Sequence, residues 1–481
     1  MRISNGIPAK TVVGKAFHIE RTKSCVRLLI LLLLIIFFID TGSFASQDSA
    51  RPSADWVKNA IIYEVFVRDF GPQGTFKEVE AKLPELKQLG ATVLWLMPIH
   101  PIGKVKRLGT WGNSYAIQDY LKITPDYGTE DDLRSLVQSA HRYKMNVILD
   151  MVADHTAWDH SWITTHPDYY HRDSTGTILS PDPHWKGVAW LDYSNPALRK
   201  EMATIMKYWI EKCDIDGYRC DYAIGVPTDF WESIRPELEK IKPEILMLAE
   251  SHVPELQRKA FDLSYSWPLY DVLRKSLAGT QPAHAIVSTI LQERKNFPQG
   301  ALLLRFIDNH DKERAPVAFG EEKWKPAAAV AFLVPGVPLL YNGQEIGDTT
   351  VSHFPYLFEK NPIQWQTAGT ARGQAYWNFY KTLIELRQNH PSLRSDNISF
   401  LPNDQDNSVV TFLRWDQNQT VLVAVNLSGG ARQVSIDLRG SPIEKNRLLK
   451  NLLNTEQSIT LTQPIVEITL LPYAYAVWLV R

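Results

Sequence analysis

Three apolar runs in the middle of this 481-residue chain each end on an acid. Asp221 closes Asp216-Gly-Tyr-Arg-Cys-Asp221, Glu250 closes Ile245-Leu-Met-Leu-Ala-Glu250, and Asp311 closes Phe306-Ile-Asp-Asn-His-Asp311. A parallel strand buried on both faces has no place for a carboxylate in its middle, whereas at its C-terminal end the side chain opens into the cleft where barrel enzymes do chemistry. The pattern predicts a site assembled from strand ends. Two carboxyls in such a cleft are what acetal cleavage needs: an acid protonates the leaving oxygen and a carboxylate traps or stabilises the oxocarbenium-like carbon, at about 5 to 5.5 Å from each other in retaining catalysts. Taken singly, each of these acids reads equally as a helix N-cap or a turn former.

The elements that would position them follow from the periodicity. Short apolar strands are expected at Ile61 to Val67, Thr92 to Leu96, Val147 to Val152, Gly217 to Arg219, Leu246 to Ala249, Asp262 to Tyr265, Ala301 to Ile307 and Pro338 to Tyr341. Between them, Glu78 to Leu89, Asp131 to Tyr143, Ala197 to Lys212, Thr228 to Ile241 and Ala283 to Arg294 repeat apolar residues at three and four, as helices laid on a sheet do. This alternation predicts an α/β fold, a (β/α)8 TIM barrel over 46–153 and 194–394. The 154–193 excursion after the third strand, rich in His, Pro, Asp and Trp, is long enough to be a small inserted domain. From about Ser395 the sequence turns β-branched and alternating, as in Val409-Val-Thr-Phe-Leu-Arg-Trp415, which predicts a C-terminal antiparallel β-sandwich over 395–481.

Composition narrows the partner. The net charge is −1, with 52 basic and 53 acidic residues interspersed, so no broad field exists to recruit nucleic acid or an anionic membrane. Fifteen Trp and nineteen Tyr suit a neutral sugar, whose apolar faces stack on rings, although most of these aromatics are expected to be packing, Trp95 and Trp190 among them. At the N-terminus, Arg21, Lys23 and Arg27 precede a twelve-residue apolar run, Leu28 to Ile39, and then Ser43-Phe-Ala45. This reads as a signal peptide over 1–45 and predicts export to the periplasm or the exterior. A membrane anchor is the competing reading, but spanning takes about 20 apolar residues. The cysteines Cys25, Cys213 and Cys220 make no disulfide framework; the last two are expected as buried thiols beside the fourth strand, or as one pair.

With these residues in view, the chain resembles the α-amylase family of retaining glycoside hydrolases from about Ala54 to Arg481. Asp150-Met-Val-Ala-Asp-His155, Gly217-Tyr-Arg-Cys-Asp221, Glu250 and Phe306-Ile-Asp-Asn-His-Asp311 resemble its motifs in order, supported by Gly90-Ala-Thr-Val-Leu-Trp-Leu-Met-Pro98 and Gly336-Val-Pro-Leu-Leu-Tyr-Asn-Gly-Gln-Glu345. The resemblance implies Asp221 as nucleophile, Glu250 as acid and then base, and Asp311 as the third acid that grips sugar hydroxyls. It implies His155 and His310 hydrogen-bonding the same sugar, Tyr115 stacking beneath it, and Asp150 orienting Arg219. Arg219, on the same strand face as Asp221, is expected to lower the nucleophile's pKa by pairing, and the apolar approach Leu246-Met-Leu-Ala249 to raise that of Glu250. The bland alternatives are structural histidines and a packing tyrosine.

Two departures matter. Where the family holds a structural calcium, the matching positions are Asp154, Trp190 and Gly225; a Trp cannot ligate a hard cation that prefers six to eight oxygens, so no metal or cofactor is expected there, while Asp159, Asp168, Asp173 and Asp182 of the insert leave a metal elsewhere open beside the reading of a solvated loop. The nucleophile motif continues Tyr222-Ala-Ile-Gly225, without the Lys-His that many starch-cutting members place next to hold the reducing-side sugar. The expected function is cleavage of α-glucosidic bonds, foremost α-1,4, in starch, glycogen or maltooligosaccharides. A glucanotransferase or an α-1,6-acting relative would use the same residues. An inactive amylase-like scaffold and a carbohydrate-binding protein are the other readings, and retention of all three acids with Arg219 and His310 opposes them.

Overall fold

The eight apolar runs close on one another. The computed structural model describes residues 49–443 and 447–481. Its strands are β1 (Ile62–Val65), β2 (Val93–Leu96), β3 (Asn146–Val152), a short hairpin of β4 (His155–Ala157) and β5 (Val188–Trp190), then β6 (Gly217–Asp221), β7 (Leu246–Ala249), β8 (Leu263–Tyr265), β9 (Leu302–Arg305) and β10 (Val337–Tyr341). Without the hairpin, these form a closed parallel barrel in chain order, β10 pairing with β1. The hairpin lies on the 154–193 excursion.

Strand ends differ from expectation in ways that matter for the site. β6 runs on to Asp221 because Met151 and Val152 of β3 pair with Cys220 and Asp221. β9 stops at Arg305, because β10 pairs with it only at Leu304 and Arg305, and Phe306 onward leaves the sheet. Asp311 therefore sits on the loop beyond β9 and not at a strand end. The exclusion of carboxylates from mid-strand also fails twice. Glu64 in β1 and Asp150 in β3 are at most 2% exposed inside the barrel. Each has a cationic partner there, Glu64 with His310 and Asp150 with Arg219, and pairing is what makes a buried charge tolerable.

The surrounding helices begin where local chemistry dictates. Thr75 with Glu78, and Thr129 with Asp132, form capping boxes that start Phe76–Leu89 and Glu130–Arg142. Gly217 opens β6 because nothing larger fits: a Cβ there would lie 2.1 Å from the Leu246 carbonyl oxygen of β7. That close approach fixes the β6–β7 register on which the site depends. Cys213 and Cys220 are free, buried thiols.

The C-terminal region has a six-stranded antiparallel sheet built from β11 (Ile398–Phe400), β12 (Val409–Trp415) and β13 (Thr420–Asn426). A second, two-stranded sheet pairs β14 (Arg432–Asp437) with β17 (Ile465–Leu470). The larger sheet is completed by β15 (Leu448–Asn451), β16 (Ser458–Thr460) and β18 (Tyr475–Val480), in the order β11-β12-β13-β18-β15-β16. Alternation gives its central strands two buried faces. Phe412, Val421, Val423 and Val477 join the barrel's core, while Leu413, Leu422 and Trp478 pack with Val434, Ile436, Val466 and Ile468 of the small sheet.

Arg414 of β12 pins this sandwich to the barrel. Fully buried, it donates to the carbonyls of Asn397 (2.9 Å), Leu393 (3.1 Å), Ser395 and Leu333. Replacing Arg414 by Met keeps much of the stem but leaves these acceptors buried and unmet. We expect a loss of about 3 kcal/mol in denaturant-induced unfolding; an unchanged midpoint would mean that the four bonds contribute nothing net. Among the described residues no helix is long and apolar enough to cross a membrane. The expected leader, 1–45, lies outside them.

Candidate active site

Asp221 and Glu250 stand side by side because of strand register. Cys220 pairs with Ala249 across β6 and β7, and the Glu250 N–H donates to the Cys220 carbonyl at 3.0 Å, so the next residues on the two strands are level. Adjacent parallel strands lie about 4.8 Å apart, and side chains level with each other leave the sheet on the same face. Arg219, two residues before Asp221 and on its face, fills the space below. Its Nη1 is 2.7 Å from Asp221 Oδ1 and 2.9 Å from Asp150 Oδ1, and its Nη2 is 2.9 Å from Glu250 Oε1, in ion-pair contact without hydrogen-bond alignment. The Tyr265 hydroxyl accepts from Nε at 3.3 Å. One fully buried guanidinium thus touches both cleft carboxyls and is itself fixed by Asp150, whose other oxygen accepts from Trp95 Nε1 and the Tyr115 hydroxyl.

The carboxyls open upward, with side chains 13% and 18% exposed for Asp221 and Glu250, into a cavity of about 810 Å3 that Tyr115, His155, His310 and Asp311 also line. Burial raises both pKa values, against the opposing pull of Arg219: Asp221 to about 6 and Glu250 to about 7. The expectation that Arg219 would hold Asp221 below the usual range is corrected. The guanidinium is shared among three carboxylates, and desolvation with the neighbouring charges of Asp150 and Asp154 outweighs it. The pair is nonetheless ordered, since Glu250 keeps its proton to higher pH. Its Oε2 accepts from the Tyr222 N–H at 2.9 Å, which Tyr222 presents by turning into the left-handed region at φ 39°.

The remaining predicted residues are brought to the same cleft with different partners from those expected. His155 Nδ1 meets Asp154 Oδ2 at 2.9 Å and its Nε2 meets the Tyr115 carbonyl at 3.0 Å. Both ring nitrogens are thereby taken by protein, and a hydrogen bond from His155 to a sugar requires exchange of one of them. Tyr115 has one ring face stacked on His310, with centroids 5.4 Å apart. Asp311, 36% exposed in its side chain, lies 3.4 Å from His310 Nε2 and faces the cavity.

Glu64 is the residue the sequence reading missed. Its carboxylate is in short contact with His310 Nδ1, and the other ring nitrogen faces the Tyr115 hydroxyl at 2.9 Å and Asp311. Burial resists charging this imidazole, but Asp311 and Glu64 outweigh it and lift its pKa to about 9. His310 is a cation held on the cleft floor. The only available signal was a Glu inside an apolar strand, Ile61-Ile-Tyr-Glu-Val65, 246 residues from its partner. In Glu64→Gln we expect the His310 ring resonance to titrate near the ordinary histidine value of about 6.5 instead of near 9. We expect kcat/KM at neutral pH to fall about tenfold with it. An unmoved titration would remove Glu64 from this role.

Two sets of donors bear on metal binding. Asp154, His155 and Asp221 bring one ligand atom each within 4.8 Å of one another. His155 has no free nitrogen, and Asp221 is paired with Arg219. At the calcium position implied by resemblance, Asp154 Oδ1 is buried without a partner, Trp190 packs its ring on His171 at 3.8 Å, and a Cβ on Gly225 would touch Asp154 Cβ at 3.1 Å. One carboxylate oxygen is a poor start on a shell of six to eight.

Comparison with known proteins agrees with this geometry. The sequence matches the family described as Alpha amylase, catalytic domain, over residues 38–186 and 179–374. Alpha-amylase 3 of Dictyoglomus thermophilum is 28% identical over 438 residues, covering 78% of this chain and 85% of that protein. The crystal structure of the noncanonic maltogenic α-amylase AmyB from Thermotoga neapolitana superposes with a TM-score of 0.81 at 30% identity, covering 88% of this chain and 99% of that one. The α-amylase of Geobacillus thermoleovorans, solved with acarbose, gives a TM-score of 0.75 at 26% identity over 88% of this chain and 99% of its own. From the barrel, the ordered pair of carboxyls and the match across its catalytic region, the chain belongs to the α-amylase family and is an α-amylase-like glycosidase.

Proposed function

We propose that this chain hydrolyses α-1,4-glucosidic bonds in starch, glycogen or maltooligosaccharides with retention, through a glycosyl ester on Asp221. The observation that carries the reading is the β6–β7 register, which sets Asp221 and Glu250 level on neighbouring strands above a shared Arg219. In the first step Glu250 gives its proton to the glycosidic oxygen as the C1–O bond breaks, and Asp221 closes on C1. In the second, ionised Glu250 takes a proton from water, whose oxygen displaces the Asp221 carboxylate and regenerates both groups. Asp311 is assigned to the sugar hydroxyls, while Asp150 acts through Arg219. His310 and Glu64 form the charged floor.

The relatives from Dictyoglomus and Thermotoga are named α-amylase and maltogenic α-amylase, and this supports an α-glucan substrate. One observation favours transfer to a second sugar alongside hydrolysis. The cleft mouth carries the exposed apolar side chains of Trp185, Tyr222, Ile224 and Phe354, a wall that a sugar face covers better than water does. We also propose that the enzyme works without calcium at the Asp154 position, on the donor set described above. Export is supported by the basic leader and the Leu28 to Ile39 run.

The test is a product profile on maltoheptaose, soluble starch and pullulan, with the anomer of the first product followed by NMR. The reading predicts short α-anomeric maltooligosaccharides from the first two and little from the α-1,6 links of pullulan. Cleavage confined to pullulan's α-1,6 links would overturn the linkage assignment, and β-anomers would overturn retention. Full activity after exhaustive chelation is expected, and its loss would contradict the calcium reading.

A further inference from the structure

On the far side of the cleft wall lies a second, separate cavity of about 420 Å3 that has no part in the chemistry above. It is strongly cationic in a chain whose net charge is −1. Arg68, Lys104, Arg107, Lys122 and Lys360 line it, with Asp126 as the sole acid among the lining residues. Among the described residues, the single carboxylate within ion-pair distance of any of these five cations is Asp119, 2.8 Å from Lys122.

The floor is what separates this cavity from a scatter of surface lysines. Arg68 is 3% exposed, and its hydrogen bonds go to backbone carbonyls, those of Gly112 (3.0 Å), Leu357 (3.3 Å) and Trp111 (3.4 Å). The neighbouring acid, Asp69, accepts the Asn361 N–H on Oδ1 at 2.9 Å and leaves Oδ2 buried without a hydrogen bond, within electrostatic reach of Arg68 but outside ion-pair distance. Beside it, the Tyr127 hydroxyl, in a residue 3% exposed, lies against Arg68 and finds no hydrogen-bond acceptor. A buried guanidinium with no carboxylate in direct ion-pair contact and a buried hydroxyl without an acceptor are both costly, and one acidic oxyanion on the cavity side would relieve both. A carboxylate supplies one charge, whereas a phosphate group supplies up to two, with acceptor oxygens pointing in several directions to suit cations arriving from different segments.

We propose that this cavity is a binding site for a phosphate group, either inorganic phosphate or a phosphate monoester carried by a sugar. Arg68 and the Tyr127 hydroxyl hold its buried side, and Lys104, Arg107 and Lys360 close over it. The position gives the site a route to the cleft. Segments 102–111 and 357–360 form the partition, and they are stitched together where the Trp111 N–H donates to the Phe358 carbonyl at 3.0 Å and the Thr110 N–H to Glu359 at 2.9 Å. Leu108 and Phe358 of these same segments face the catalytic cavity.

Isothermal titration of the full chain with sodium phosphate, at fixed ionic strength, tests this directly, with the fluorescence of Trp111 in the pocket wall as a second signal. Saturable one-site binding with a Kd of about 5 mM or tighter is expected. It should weaken about tenfold or more in Lys104→Ala/Lys360→Ala. Neither lysine belongs to the catalytic machinery, so starch hydrolysis without phosphate should be unchanged in that variant. Glucose 6-phosphate run in parallel distinguishes the sources: tighter binding than inorganic phosphate assigns an ester, weaker binding assigns the free ion. Absence of saturable binding for both probes, or binding that the double variant leaves intact, overturns the proposal.

Discussion

Glu250→Gln will lower kcat/KM on maltooligosaccharides by about a thousandfold, because a general acid contributes on the order of 10^2 to 10^4 and an amide cannot protonate the departing oxygen. The substitution keeps the acceptor for the Tyr222 N–H and nearly the same volume, so folding should be unaffected. Two further outcomes distinguish loss of the proton from general damage. An aryl α-glucoside whose phenol leaves without protonation should retain far more of its first-step rate than maltotriose does. The pH profile should also change in a defined direction. In the wild type, Asp221 must be ionised, a condition lost as pH falls through about 6, and Glu250 must be protonated, a condition lost as pH rises through about 7. The two groups share Arg219, so these limits belong to the pair. Without an ionising group at position 250 the fall above about 7 should vanish. A variant that kept the alkaline limb would assign it to another residue.

Asp221→Asn is expected to be more damaging still, at about 10^4-fold or more in kcat, since it removes the nucleophile and with it the covalent route. The loss should be indifferent to the leaving group, in contrast to Glu250→Gln. It should also release Arg219. With one of its three carboxylates neutral, the guanidinium is left to Asp150 and Glu250, and the Glu250 proton should come off at lower pH than in the wild type. Both single variants should bind maltoheptaose, because the cavity walls and Asp311 remain. Loss of binding together with turnover would indicate collapse of the cleft floor instead.

Much of this site could be read from the sequence, for a physical reason. A barrel strand buried on both faces is a run of apolar residues, and the first carboxylate after it marks the rim; Asp221 and Glu250 stand out on those terms. Arg219 was legible through the two-residue period of its strand. Asp311 was half legible, since the apolar Phe306 and Ile307 imitate strand residues although β9 has already ended at Arg305. What the sequence hid were interactions that only closure of the barrel creates. Glu64 is a lone acid inside an apolar strand, with nothing nearby in the sequence to mark a partner until β1 meets the loop after β9 and His310 arrives beside it. The pKa of Asp221 went the other way from the local reading because burial, which the sequence did not show, outweighs the pairing, and because Arg219, read as serving Asp150 and Asp221, is shared with Glu250 as well. His155 was read as a sugar ligand from its motif, but the preceding Asp154 and the Tyr115 carbonyl claim its two nitrogens. The two capped helices were legible from their apolar period, but their capping boxes start them at Phe76 and Glu130, two residues and one residue before the expected Glu78 and Asp131.

The claim on which the account turns is that the anomeric carbon is passed to Asp221 and then to water. A 2-deoxy-2-fluoro-α-glucosyl substrate with an activated leaving group slows both steps by withdrawing electrons from the developing cation, and with a good enough leaving group the ester accumulates. Peptide mass spectrometry of the quenched enzyme should then locate one fluoroglucosyl residue on Asp221, and the label should disappear in Asp221→Asn. Turnover of that substrate with no adduct, or an adduct on any other side chain, would contradict it.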